Sequence, residues 1–336
     1  MTRPAFELAD IVRRKGRQFL ERFKAVVNYQ QLKAYRAIEH CRTAALGGHK
    51  DKCVGCQYEP PISYNSCRSR SCPKCQAQTR RRWLQIQQRD LLNTNYFHVV
   101  FTLPHELNPL ALTSRKPLLD LLFDASSQTL LEVARDPQRL GAEIGFLSIL
   151  HTWGSNLLPH YHIHAVVPAG GLSADHQRWI HTSHAMFLLP VPVLRTVFRE
   201  KFLSGLRQLY RKGVLNLRGP AAPLRDPAGF EQLIETLDNK NWYVHVEPPF
   251  GGPEHVLRYL GRYTHRMAIS NHRLTAFDGE RVSFRWRDYA HGGKQRTMTL
   301  DATEFLRRFF LHALPNGFVR IRHYGFLANR FRARNP

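Results

Sequence analysis

The spacing of apolar residues changes character along the chain, and the changes mark its parts. From residue 5 to residue 40 apolar side chains recur at mixed spacings of three and four, which predicts helix. Residues 41–75 lose that period; Gly, Ser, Asn and Pro predict loops and short hairpins there. A helical period returns over residues 79–92, very basic at its start (RRRWLQIQQRDLL). Short apolar runs then take over. YFHVVFTLP (96–104) predicts a buried strand ended by proline, IGFLSILHTW (144–153) a second and PHYHIHAVVP (159–168) a third. The five residues between the last two suit an antiparallel hairpin. Helices are predicted at 116–134 and 191–212, and a strand at 242–250 (WYVHVEPPF). Gly251-Gly252-Pro253 opens a further helix, with proline in its first turn. The end of the chain reads as a hairpin-like piece (RVSFRWRDY), a helix (TEFLRRFFLHAL) and a basic tail.

This order predicts an α+β protein with a central antiparallel sheet flanked by helices, preceded by a helical, zinc-ribbon-like N-terminal part. Three segments follow: 1–92, 93–275 and a basic extension, 276–336, packing on the middle segment. No internal repeat or low-complexity linker interrupts them.

Charge narrows the partner. The 336 residues carry 49 Lys and Arg against 26 Asp and Glu, a net charge of +23. Such an excess calls for a polyanion, and nucleic acid comes first because phosphate contacts draw on cations. A membrane partner is disfavoured: no apolar run is long enough to span a bilayer, and no basic amphipathic anchor is visible. The start, MTRPAFELADIVRRKG, lacks the apolar core of a signal peptide, so a cytoplasmic location is expected. Disulfides are not expected there.

The six cysteines therefore need another explanation. All lie between Cys41 and Cys75. Cys53-Val-Gly-Cys56 and Cys72-Pro-Lys-Cys75 form two CxxC knuckles fifteen residues apart, the spacing of a four-sulfur zinc site. Cys41 and Cys67 remain, with His40 and His49 nearby; they make a second zinc site or are buried apolar thiols. A closed site of this kind replaces a core that the segment cannot build. Arg68, Arg70, Lys74, Arg80, Arg81 and Arg82 crowd the second knuckle and the helix after it. They form a solvated basic face or, as the net charge favours, a contact for the DNA backbone.

Two further constellations carry chemistry. His160, His162 and His164 occupy alternate positions of a strand and share one face. Three imidazoles on one face suit a divalent cation, although a lone buried histidine is usually just hydrogen-bonded. Farther on, VLRYLGRYTHRM (256–267) places Tyr259 and Tyr263 four apart on one helical face, with Arg258, Arg262 and Arg266 around them. Two tyrosines at this spacing are also what a core would use. Against that stands the cationic surround. Gly261 inside the helix also costs about 1 kcal/mol relative to alanine.

Together the segments resemble a known family. His162-Ile163-His164 is similar to the His-hydrophobe-His motif of HUH single-strand endonucleases, and Tyr259-Leu-Gly-Arg-Tyr263-Thr-His-Arg266 to the motif of their two-tyrosine branch, with Arg266 where a lysine is usual. The cysteine module, HTWGSNLLPHYHIHAVVPAGGLS, YLGRYTHRMAISNHRL and RIRHYGFLAN resemble rolling-circle insertion-sequence transposases, from residue 41 to residue 329. The resemblance implies an HUH nuclease fold and cleavage of single-stranded or hairpin DNA at transposon ends, with transfer to target DNA. Mg²⁺ or Mn²⁺ on His162 and His164, with structural Zn²⁺ elsewhere, is implied too. A third ligand is expected, with His160, His151, His255 and His265 competing. Tyr263 is the implied nucleophile, Tyr259 its partner, and Arg266 a phosphate clamp or a stabiliser of the phenolate. Arg258, Arg262, Arg320 and Arg322 join the expected DNA-binding set.

The alternatives are a zinc-ribbon regulator, a replication or mobilisation nickase, a metal-dependent amidohydrolase and a three-carboxylate transposase. The regulator leaves the histidine strand unexplained. The amidohydrolase gains nothing from the charge, and the sparse acidic residues show no clear triad.

Overall fold

A computed structural model of the protein describes residues 6–249, 255–256, 261 and 267–328. Its helices are α1 (Leu8–Phe23), α2 (Tyr29–Glu39), α3 (Pro73–Asp90), α4 (Asn108–Thr113), α5 (Arg115–Arg135), α6 (Val191–Arg211), α7 (Pro227–Asp238) and α8 (Ala302–Phe310). Its strands are β1 (Gly48–His49), β2 (Ser63–Tyr64), β3 (Tyr96–Thr102), β4 (Phe146–Trp153), β5 (Pro159–Pro168), β6 (Gly170–Leu172), β7 (Trp179–His181), β8 (Tyr243–Glu247), β9 (Leu274–Phe277), β10 (Arg281–Asp288), β11 (Lys294–Asp301) and β12 (Ile321–Tyr324). Among the described residues no helix is long and apolar enough to cross a membrane.

The chain divides into two compact units. One gathers Met1–Gln85, Trp153–Leu158 and Gly261–Asn316; the other gathers Ile86–Thr152, Pro159–Leu260 and Gly317–Pro336. The three consecutive segments expected from the sequence are therefore not the units of the fold. Residues 276–316, expected to pack on the middle segment, belong with the N-terminal helices. The expected basic tail is divided too: Ile321–Tyr324 forms a strand of the second unit. A break in hydrophobic period reports local structure, whereas a unit is set by which apolar faces meet.

In the first unit α1 is closed by a capping box between Glu7 and Asp10, and buries Leu8, Ile11, Val12 and Phe19. Phe19 stacks on Phe310 of α8 with ring centroids 5.5 Å apart. Tyr35 of α2 lies so close to Gly16 that a Cβ there would stand 2.3 Å from its ring. The antiparallel sheet β9–β10–β11 closes this core, with Phe284 of β10 against Phe305 of α8.

The second unit is built on a five-stranded antiparallel sheet, ordered β12-β4-β5-β3-β8. Strand alternation gives it two unlike faces. One is apolar: Phe97, Val99 and Phe101 of β3, with Tyr161, Ile163 and Ala165 of β5, are buried. Phe198 of α6 meets Phe101 edge-on at 4.9 Å and Trp242 at 5.3 Å, so helices cover this face. The other face carries the polar residues of the same strands, and there the site lies.

Candidate functional site

Register places the histidines. β5 pairs with β3 so that His164 faces Val100 and His162 faces Thr102; β3 in turn pairs His98 with Glu247 of β8. His98, His162 and His164 thus project from one side of the sheet, opposite Phe101 and Ile163. His151 of β4 joins them: a ligand atom from each of His151, His162 and His164 lies within 4.8 Å of the others, and all three side chains are buried. His164 Nε2 stands 3.2 Å from His151 Nδ1. A divalent ion with bonds of about 2.1 Å sets neighbouring donors about 3.0–3.4 Å apart, so this pair fits one without rearrangement.

Hydrogen bonds fix which nitrogen faces the centre. His162 Nδ1 donates to the backbone carbonyl of His160 at 3.0 Å, which leaves Nε2 as the lone-pair atom. Behind His164 runs a chain of two bonds. The Glu247 carboxylate accepts from His98 Nδ1 at 2.9 Å, and His98 Nε2 lies 2.8 Å from His164 Nδ1. A carboxylate acceptor assigns the proton to His98 Nδ1. His98 Nε2 then accepts from His164 Nδ1, and His164 turns its Nε2 lone pair toward His151. This is the arrangement that orients imidazole ligands in metal sites. Burial, and then the neighbouring imidazole of His151, hold His162 and His164 well below the usual histidine pKa. The neutral, ligand form is therefore the resting one.

Of the competitors for the third position, His151 is the one the fold brings in. His160 shares the strand face and its ring lies 4.6 Å from that of His162, yet it is exposed and outside the cluster. His255 is exposed, and His265 lies outside the described residues. So do Tyr259, Tyr263, Arg258, Arg262 and Arg266. His98 and Glu247 escaped the sequence reading. Each stood in a stretch read correctly as strand, but only the register of β3 against β8 makes them partners.

The cysteines assemble differently from the expectation. Cys41, Cys67, Cys72 and Cys75 converge, whereas Cys53 and Cys56 are exposed and stand apart. The sulfurs are 3.5 Å (Cys41–Cys75), 3.6 Å (Cys67–Cys75) and 3.8 Å (Cys41–Cys72) apart. A tetrahedron with Zn–S bonds of about 2.3 Å has edges of about 3.8 Å, so the cluster has the dimensions of a zinc site. The reason for the exchange is local. Cys72 and Cys75 sit at the N-terminus of α3, Cys41 follows the end of α2, and Cys67 follows β2. Cys53 and Cys56 lie on the loop that joins β1 to β2 and are left at its surface. His49, on β1, is 3.8 Å from the Asp51 carboxylate and also outside the cluster. The hydrogen bonds among these sulfurs lower the pKa of Cys41, to about 7, and of Cys75, and raise those of Cys67 and Cys72. Thiolate is the ligand form.

The expected DNA-binding cations divide into two groups. Arg68, Arg81 and Arg82 are exposed and Arg80 is half-buried. Arg81 and Arg82 line an open groove with Lys74, Gln78 and Arg42, the last missed in the sequence because its charge stands alone there. Others are engaged in the fold. Lys74 pairs with Glu7 at 2.8 Å, and Arg70 donates to the Leu314 carbonyl at 3.0 Å. Arg320 is half-buried, its carbonyl accepting from the Leu150 amide. Arg322 corrects the expectation: it points to the helix-covered side, with its guanidinium 4.0 Å from the Phe123 ring centroid and paired with Asp120. It is a packing residue of the second unit.

A family described as "Putative transposase" matches residues 145–335, and one described as "Transposase zinc-binding domain" matches residues 11–103. The chain is 47% identical over 332 residues to "Putative transposase y4qJ" of Sinorhizobium fredii (strain NBRC 101917 / NGR234), covering 99% of this chain and 83% of that one. It is 30% identical over 297 residues to "Transposase for insertion sequence element IS801" of Pseudomonas savastanoi pv. phaseolicola, covering 86% of this chain and 68% of that one. No solved structure matches.

Proposed function

The chain belongs to the family of insertion-sequence transposases with an N-terminal zinc-binding domain, and from that premise we propose that it nicks and rejoins single-stranded DNA at transposon ends by metal-assisted tyrosine attack, in the rolling-circle manner. The observation that carries this reading is the buried cluster of His151, His162 and His164, with His164 oriented from behind by His98 and Glu247.

In this reading the three imidazoles hold Mg²⁺ or Mn²⁺. An all-nitrogen protein set favours Mn²⁺, because Mg²⁺ prefers oxygen. Bound there, such a cation would polarise the scissile phosphate and offset charge in the transition state. The phenolic oxygen of Tyr263 attacks phosphorus, and its proton passes, directly or through water, to the departing 3′ oxygen. The bond from phosphorus to the 3′ oxygen breaks, and that oxygen leaves as a free 3′-hydroxyl. The 5′ side remains as a phosphotyrosine ester, which preserves the energy of the bond so that rejoining needs no ATP. Tyr259 serves the second transfer, and Arg266, always charged, holds phosphate. The exposed cations of the zinc-bearing unit bind the DNA, and the reaction takes place in the bacterial cytoplasm.

The test is a covalent protein–DNA band after incubation with Mn²⁺ and an end-containing single-stranded oligonucleotide. Tyr259→Phe/Tyr263→Phe abolishes it, and His162→Ala/His164→Ala reduces cleavage by about three orders of magnitude, as loss of several kcal/mol of charge stabilisation requires. Undiminished nicking by the double tyrosine variant sinks the mechanism.

A further inference from the structure

The β10–β11 hairpin in the first unit is absorbed by neither metal centre. Its eight cross-strand pairs run from Arg281↔Asp301 to Asp288↔Lys294. The base is anchored: Val282 and Phe284 are buried, and Phe284 packs on Phe305. The far end is polar and cationic. Residues 285–296 hold four Arg or Lys and one acidic residue, Asp288. That acid is already used. It is buried, pairs with Arg296 at 3.1 Å and accepts from His291 Nδ1 at 2.8 Å. Its own carbonyl accepts from the Gly293 amide at 2.9 Å. Gly292 and Gly293 take φ of +73° and +69°, the left-handed region open to glycine. The tip is thus fixed from within. It presents Tyr289, 73% exposed, and the strands that lead into it carry Arg287 and Lys294, both exposed, on opposite faces of the ribbon.

We propose that this hairpin is a wing that binds duplex DNA, its Tyr289 tip entering a groove while Arg287 and Lys294 contact the flanking phosphates. The proposal rests on the DNA-processing reading above and adds a duplex contact to it. Charge complementarity selects a polyanion. The shape selects a duplex: a two-stranded ribbon fits the major groove, about 12 Å wide. A single strand would want successive aromatic platforms. Here Tyr289 alone among the hairpin's described Phe, Trp and Tyr side chains is exposed, Phe284 being buried and Trp286 half-buried.

The experiment measures binding of a blunt duplex to the full-length protein by fluorescence anisotropy over a salt series, beside cleavage of a short single-stranded oligonucleotide. Arg287→Ala/Lys294→Ala should weaken duplex binding at least tenfold and flatten the log–log salt slope by about 2, the counterions of two lost phosphate contacts. Tyr289→Ala should weaken binding with the slope kept. All three substitutions should leave single-strand cleavage unchanged. A control, Arg17→Ala/Lys24→Ala, removes equal charge from exposed positions on and just after α1. Duplex affinity within twofold of the parent in the hairpin variants, or equal loss in the control, overturns the wing. Loss of single-strand cleavage in the parent protein itself bears on the nuclease reading instead.

Discussion

The two ligand clusters of this molecule are assembled in opposite ways. The cysteine cluster draws all four sulfurs from one stretch, Cys41 to Cys75, held by the ends of α2 and β2 and the start of α3. The histidine cluster draws on β4 and β5 for its three rings and on β3 and β8 for the pair behind them. Four thiols within 4.8 Å of one another have no role for a fifth donor. Three imidazoles leave positions for water or phosphate. The first arrangement is closed, as structural sites are, and the second is open, as the proposed reaction requires. The contrast also separates their dependence on the rest of the molecule: the sulfur site needs few long-range contacts, while the nitrogen site exists only once four strands are in register.

The largest expected effect tests the sulfur side. Cys75→Ser should abolish bound zinc, measured by elemental analysis, and unfold the first unit, since structural zinc contributes on the order of 10 kcal/mol to such modules. Cys53→Ser/Cys56→Ser should keep one zinc per chain. If that double variant loses the metal instead, Cys53 and Cys56 are ligands after all.

A smaller effect probes the nitrogen side without touching a ligand. Glu247→Gln removes the charge behind His98 and should weaken Mn²⁺ binding about 10–100-fold by calorimetry. The melting temperature should stay within a few degrees. Unchanged Mn²⁺ affinity would make His98 an ordinary satisfied core histidine, and Glu247 its surface partner.

The smallest effect is in pH. His162 and His164 have depressed pKa values when folded, through burial and then the imidazole of His151. Above about 6.5 both states are neutral there and nothing changes. Below it the unfolded chain takes up protons that the folded one refuses, so stability falls with acidification. The loss is bounded at about 1.4 kcal/mol per imidazole per pH unit. Denaturant melts at pH 7 and 5.5, without added divalent cation, should show it, and His162→Ala/His164→Ala should flatten the difference. An equal slope in that variant would place the acid sensitivity elsewhere.

Much of the second unit could be read from the chain. Strand runs ended by proline gave β3 and β5 nearly to the residue, and the alternation in PHYHIHAVVP put its imidazoles on one face. The second knuckle was readable as a pair of thiols, but the helix it opens was not: α3 begins at Pro73, where loops were expected up to residue 75 and helix from residue 79. The pairing of the knuckles was not. CxxC repeats look equivalent in sequence, and only the hairpin β1–β2 shows that one of them faces outward. Arg322 looked like a DNA contact because charge in a basic tail carries no sign of which side of an edge strand it will occupy.

The sequence by itself determined what each local element offers: a histidine face, paired thiols, a cationic surface and the order of strands. Those follow from periods of two and 3.6 and from side-chain chemistry, which need no partner. Tertiary structure decided which offers meet. His151 became the third imidazole, His98 and Glu247 came behind His164, and Cys41 and Cys67 displaced Cys53 and Cys56. Each depends on strand register or on where a helix ends against its neighbours, and that is fixed by the packing of residues far apart in the chain.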